Sequence, residues 1–493
     1  MVEMLTSMTL ALRLAVGFLA IGTAPQPAPL SATDSIPWQE CRLTGFNGTA
    51  RCATHEVYEN REAGRGRRIP IRVAVLPATG QDIAPDPLFV LAGGPGQAAT
   101  SLAGFVAGEL PDLRKTHEIV LVDQRGTGAS NPLECHMPGS DDDPQGYLGP
   151  LFPLDSIQAC RTELGSRADL TLYTTPIAMD DLDEIRAWLG YDRIDLYGTS
   201  YGTRAAQVYL RRHPDHVRAI VLSGVVPIDY RMPLHHARSA QEALVGLFAR
   251  CYARLDCQSA YPRLRDELQA VLDRLDDGPV SARVASPATG RPATLSLDRA
   301  AFGSTLRFML YAPEAARQIP AFVHRAAADS DYAPIVAFAL AIRRTLDGVV
   351  AMGMHLSVTC AEDVPFIDPG RIEPETRGTF LGDARIRGQI AACQLWPRGV
   401  LPDGYRKPVS SDAPILMISG ELDPVTPPYR AEEVARTLPN AVRVVVPGGG
   451  HSNAVPCVVD LITRFIRAGT GVGLDTSCVD RIEQPPFATP MSE

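Results

Sequence analysis

Short apolar, β-branched runs alternate with amphipathic segments over two separate stretches of this 493-residue chain, and that alternation restricts its fold more than any other feature. Runs at 71–76, 88–92, 119–123, 194–197 and 219–222 are each bounded by turn residues or charges and read as buried strands. Between them, residues 180–189 put Leu182, Ile185, Trp188 and Leu189 on one helical face and stop at Gly190. Strand and helix in alternation predict an α/β protein with a mostly parallel, twisted sheet flanked by helices. From about 229 to 407 the strand signal fades, and helical patterns appear at 236–255, 263–275, 299–310, 313–328 and 335–346. Strand-like runs resume at 415–419 and 442–446, followed by a helix over 458–468. The chain therefore reads as one core in two parts, 33–227 and 409–493, interrupted by a helical cap over 228–408. That insertion is far too long for an ordinary loop.

Apolar residues make up 45% of the chain and charged ones 21%, a globular balance. A net charge of −9 with no basic run argues against nucleic acid or an anionic membrane surface as partner. Lys115 and Lys407 are the only lysines, a bias toward Arg that points to a GC-rich bacterial source. At the amino end, an apolar run over 14–21 follows Arg13 and precedes Gly22, Thr23, Ala24, Pro25 and Pro27, the layout of a secretory signal peptide. Eight residues cannot span a bilayer. The expectation is a leader over 1–32, cleaved near Ala24 or Ala32, and a secreted or periplasmic mature protein without membrane insertion. Translation from Met8 would give a better leader, because Glu3 is out of place in one. Ten cysteines, with no C-x-x-C and no Cys/His cluster, give no reason to expect a metal. Locality favours the pairs 41–52, 135–160, 251–257, 360–393 and 457–478; reduced thiols in a cytosolic protein are the alternative. The sequence is silent on oligomeric state.

Gly198-Thr199-Ser200-Tyr201-Gly202 lies between the strand-like run 194–197 and a helix-like run over 203–210. A serine hydroxyl is a poor nucleophile at neutral pH and must be held beside a base, which a tight strand-to-helix turn achieves. Flanking glycines suit a strained backbone closely approached by neighbouring chains. Such an elbow requires an oxyanion hole, supplied by the amide after the nucleophile, Tyr201, and by one from the glycine-rich stretch Gly93-Gly94-Pro95-Gly96, where Gly94 is preferred to Gly93. It also requires an acid and then a histidine further along the chain. Asp423, in the Pro-bent loop after the run 415–419, is the preferred acid, and Glu421 is the alternative. Of the ten histidines, His451 alone sits in a glycine-rich loop after a late strand. In these roles His451 takes the proton of Ser200, Asp423 fixes the imidazole, and Ser200 forms an acyl-enzyme that water hydrolyses, with no cofactor.

Taken in order, Gly93-Gly94-Pro95-Gly96, Asp123-Gln124-Arg125-Gly126-Thr127-Gly128-Ala129-Ser130, the elbow with Thr203, the stretch from Gly420 to Pro424 and Gly450-His451 match a known pattern. The chain resembles secreted α/β-hydrolases of the bacterial tripeptidyl aminopeptidase and proline iminopeptidase type over about 37–478. Proline iminopeptidases usually carry His before the paired glycines; Ala92 stands here, which leans toward the tripeptidyl branch. The resemblance implies a serine peptidase acting on peptides with a free amino terminus, and hence cap carboxylates for the α-amine. Glu362 and Asp363, beside Cys360, are the candidates. Asp123 and Arg125 are expected to organise their own loop. A carboxylic ester hydrolase using the same triad is the alternative, because fold and triad do not name the acyl group.

Overall fold

In the computed structural model, residues 36–286 and 289–489 are described, and the leader expected over 1–32 lies outside them. The strands are β1 (Gln39–Cys41), β2 (Ala50–Tyr58), β3 (Arg68–Leu76), β4 (Leu88–Leu91), β5 (Ile119–Val122), β6 (Ile194–Thr199), β7 (Val217–Ser223), β8 (Val280–Ala285), β9 (Pro292–Leu297), β10 (Ile415–Gly420) and β11 (Ala441–Val446). Nine of them form one sheet in the order β1-β2-β3-β5-β4-β6-β7-β10-β11. The pairs from β1 to β5 are antiparallel and those from β5 to β11 are parallel.

The strands β4, β5 and β10 are buried along their whole length, without alternation, because both faces of the sheet are covered there. Val73, Val75, Phe89, Leu91, Leu196 and Leu222 pack on one side with the helices Thr175–Trp188 and Tyr201–Arg212. Their neighbours Ala74, Leu76, Leu88, Val90, Tyr197 and Val221 face the other side, against the helix Pro456–Ala468. Successive strands β5 and β6 lie on either side of β4, so the loops leaving β4 and β6 open a crevice at the carboxyl ends of the parallel strands. The chain from β7 to β10 builds its own apolar core, from the helices His236–Tyr252, Leu264–Asp277, Arg299–Met309, Ile319–Ala328 and Ala333–Asp347.

Several elements depart from the sequence reading. The pattern over 313–328 breaks into Pro313–Ala316 and Ile319–Ala328, the second with a proline in its first turn. An antiparallel β8–β9 hairpin sits inside the otherwise helical region. The helix Met352–Glu362 carried no readable period because Gly353 to Glu362 are all buried, which erases the polar face that makes a helix legible. Five disulfides are present, and they are the five local pairs expected. Among the described residues, no helix is long and apolar enough to cross a membrane.

Candidate active site

Register alone brings the first two parts of the site together. Leu91 of β4 stands opposite Gly198 of β6, so the chain leaving β4 at Gly93 passes Ser200 as it leaves β6. A Cβ on Gly93 would sit 3.3 Å from that of Ser200. Ser200 itself holds φ +53°, ψ −121°, in the left-handed half of the map that L-residues avoid, at the entry to the helix Tyr201–Arg212. Its amide bonds Ser223 O at 2.9 Å, and its carbonyl accepts from the Thr203 hydroxyl at 2.6 Å. The turn also demands its glycines: a Cβ on Gly202 would lie 2.1 Å from Leu91 O, and one on Gly198 would lie 2.4 Å from Gly202 O. Tyr201 is the first residue of the helix, where a backbone N–H has no acceptor within the helix.

On the other side, the ends of β10 and β11 are in register at Gly420 and Val446, and the two loops that follow meet. His451 Nδ1 lies 2.8 Å from Asp423 Oδ2. Asp423 is buried, and its carboxylate also accepts from the amides of Val425 and Thr426, each at 2.8 Å, and from the Thr426 hydroxyl at 2.7 Å. Burial alone would raise its pKa, but the imidazole and the Thr426 donors outweigh it and hold the group below the usual carboxylate value. With Nδ1–H given to the carboxylate, the imidazole is left with Nε2 as its acceptor. Glu421, the alternative acid, pairs instead with Arg250 and accepts from the Gly448 amide at 2.7 Å.

Ser200 and His451 line one cavity of about 870 Å³, which Gly93 and Gly94 also line. Two residues of this site gave no signal in the sequence. Gly224, at φ +69°, leaves room for the imidazole: a Cβ there would lie 3.0 Å from His451 Cε1. Tyr311 sets its ring edge-on to His451 at 4.9 Å, while its carbonyl accepts the Ser452 amide at 2.8 Å. Asp123 accepts from the amide and hydroxyl of Thr100, and Arg125 forms a two-point pair with Asp181 at 2.6 and 2.8 Å, so both organise their loop as expected.

Glu362 and Asp363 are arranged differently from the expectation. Both are fully buried at the end of Met352–Glu362, and neither lines the cavity. Asp363 accepts from Arg204 at 2.7 and 3.1 Å and from the Met232 amide. Glu362 accepts from the amide and hydroxyl of Thr175 and from Tyr405. Burial works against the Arg204 charge, but Asp363 prevails and holds the guanidinium protonated. The physical reason is proximity: Arg204, on the elbow helix, is an internal cation that draws both acids inward, with Thr175 and Tyr405 holding Glu362, so neither acid is presented to a substrate in the cavity.

Buried histidines around the cavity make stability fall with acid. His355 lines the cavity and donates from Nδ1 to Pro95 O, 3.2 Å away, since a carbonyl can only accept. Burial, then the nearby Arg385 charge, pushes its pKa down to about 3. Between the unfolded value near 6.5 and that folded value, the unfolded chain binds a proton that the folded chain refuses, so stability is lost as pH falls. The expected loss from His355 between pH 7 and 5 is about 2 kcal/mol. Urea midpoints at the two pH values check it, with a shallower dependence in His355→Gln; equal dependence in both proteins contradicts it.

A family model described as alpha/beta hydrolase fold matches residues 86–322, and one described as TAP-like protein matches residues 378–478. Serine protease Hip1 of Mycobacterium tuberculosis is 25% identical over 480 residues, covering 88% of this chain and 89% of that protein. Carboxylesterase B of the same species is 26% identical over 488 residues, covering 91% and 89%. The tripeptidyl aminopeptidase of Streptomyces lividans is 28% identical over 217 residues, 40% of each chain. With the sheet order and the strand-to-helix turn at Ser200, these similarities show a serine hydrolase with the α/β-hydrolase fold, similar over residues 378–478 to TAP-like proteins.

Proposed function

We propose that the chain is an exopeptidase that releases single residues or short peptides from free amino ends through an acyl-enzyme on Ser200. The acyl-enzyme part of this reading is carried by the lock between His451 Nδ1 and Asp423 at 2.8 Å, beside a strained serine that lines the same cavity, and the exopeptidase part is supported by the likeness to a tripeptidyl aminopeptidase. Nε2 of His451 takes the hydroxyl proton as Ser200 Oγ attacks the carbonyl carbon, and returns it to the leaving amine. The amides of Tyr201 and Gly94 receive the oxyanion. Water, deprotonated by the same imidazole, then frees the acyl group and restores the serine.

The cap, over 228–408, bounds the substrate from above the strand ends in this reading. The α-ammonium is met not by Glu362 and Asp363 but by acids at the cavity's solvent side, where Glu109, Glu134, Glu163 and Asp347 line it. Five disulfides and the likeness to Hip1 support a site of action outside the cytoplasm, in an oxidising compartment. An ester substrate is the second reading, favoured by the likeness to a protein named a carboxylesterase over 91% of the chain.

Chromogenic mono-, di- and tripeptide amides with free and blocked amino ends, assayed beside a short-chain ester, separate the two readings. The expected result is a kcat/KM about 5-fold or more higher for free than for blocked peptides, the worth of about 1 kcal/mol for an ammonium–carboxylate contact near solvent. Equal cleavage of blocked peptides, or hydrolysis of esters alone, contradicts the exopeptidase.

A further inference from the structure

The deep wall of the cavity is cationic. Arg307, from Arg299–Met309, and Arg385, from Ala384–Leu395, both line it together with Ser200 and His451. Arg307 is 5% exposed, stacks over the rings of Phe308 and Tyr311 at 4.5 and 5.3 Å, and donates to the Tyr311 hydroxyl at 2.9 Å. Tyr311 is the residue whose ring meets His451, so this guanidinium lies one side chain away from the imidazole. Arg385 covers the Phe152 ring at 4.8 Å, and its Nε and Nη1 atoms are shut off from solvent with no hydrogen-bond partner. Among the described residues, neither guanidinium forms an ion pair. The acids that line the cavity are more open to solvent: Glu134, Glu163 and Asp347 are exposed and Glu109 is half-buried, and a third lining arginine, Arg343, feels the Asp347 charge.

Two arginines held together without an anion are costly, since a buried charge requires a partner and like charges repel. Burial first, then the neighbouring Arg307, pushes the pKa of Arg385 down to about 9. Ring stacking holds both side chains in place; Arg307 gives one N–H to the Tyr311 hydroxyl, whereas Arg385 leaves Nε and Nη1 unused, and such a guanidinium fork is matched by a planar carboxylate. The other polar groups on this wall cannot supply an anion. His236, with both ring nitrogens unpartnered, and His355, whose Nε2 is unpartnered, are neutral imidazoles.

We propose that Arg385 and Arg307 form a carboxylate subsite, so that the preferred substrate carries an anionic carboxylate that reaches this wall while its scissile carbonyl lies at Ser200. The proposal rests on the reading that the cavity at Ser200 receives the substrate. Two sources share this chemistry: an acidic side chain in the acyl part, or the free carboxyl end of a short leaving peptide.

The test has an arm for each source. In one, tripeptide anilides ending in Glu are compared with those ending in Gln; in the other, tetra-alanine with a free carboxyl end is compared with its amide. In at least one arm the acid is expected to have the higher kcat/KM, by about 10- to 100-fold. That ratio collapses toward one in Arg385→Gln and in Arg307→Gln, is partly kept in Arg385→Lys, and is unchanged in Arg387→Gln, an exposed neighbour on the same helix. A ratio near one in both arms for the unaltered protein, or a ratio that survives both Gln substitutions, overturns the proposal. Calorimetry with glutarate on the Ser200→Ala protein keeps this question separate from the nucleophile. Binding that weakens at least about 10-fold when Arg385→Gln is added supports the subsite whatever the fate of catalysis, and absence of glutarate binding contradicts it.

Discussion

Ser200→Ala is expected to lower kcat by about 10⁴-fold or more while leaving the protein folded. The size of the effect follows from the division of labour in the cavity. Without the hydroxyl, the imidazole has no proton to take and no acyl-enzyme forms; what remains is the contribution of the oxyanion donors and of binding. The fold does not depend on the hydroxyl, because the hydrogen bonds at Ser200 that hold the elbow are made by its amide and carbonyl. Asp423→Asn should fall by a comparable factor for a different reason: the amide can present its NH₂ to Nδ1, which turns the imidazole to the tautomer that cannot accept from serine. Single-turnover kinetics with a chromogenic substrate, alongside thermal melting, checks both variants. Retained turnover in Ser200→Ala removes the serine from its role; loss of the folding transition moves it to structure.

The second large effect is on stability. Arg204→Met removes the cation that Asp363 and Glu362 share and leaves two acids buried without it. Breaking such an internal pair costs about 3–5 kcal/mol, most of it the desolvation of the charge left behind. Adding Asp363→Asn to Arg204→Met should recover part of that loss, because the orphaned charge is then gone. Urea unfolding of the single and double variants measures both numbers. A loss under about 1 kcal/mol in the single variant would mean that the pair is solvated and that these acids are available after all. The same network ties the helix bearing Cys360 to the elbow helix, so its loss is expected to reach the nucleophile's position as well as the melting point.

How much could be read in advance depended on whether a residue's role is local. The central parallel strands were legible because two-sided burial makes an unbroken apolar run, as in the LFVL of β4 and the IVLV of β5. The strand-end positions of Ser200, Asp423 and His451, and the contact between the last two, could be anticipated because each sits in a loop just after a strand, where the chain order of an elbow tells where to look. The five disulfides followed from locality, since each closes a loop of at most 33 positions. Glu362 and Asp363 failed for the opposite reason. Their partner Arg204 lies more than 150 positions away, and nothing near either acid reveals an internal cation. Arg385 is equally silent: within its own helix it is one of two arginines, set between Ala384 and Ile386, and only folding places it beside Arg307 with Nε and Nη1 unused. Met352–Glu362 escaped notice because burial on every side removes the periodicity by which a helix is recognised.

The central claim is that Ser200 Oγ is a nucleophile activated by His451 and Asp423. Its most direct measurement is covalent trapping with a fluorophosphonate, followed by mass spectrometry of the intact protein and of its peptides. One adduct per chain, carried by the peptide containing Ser200 and absent from Ser200→Ala and strongly slowed in Asp423→Asn, is the predicted result. An adduct on a different side chain, or labelling of Ser200→Ala at the rate of the unaltered protein, would contradict it.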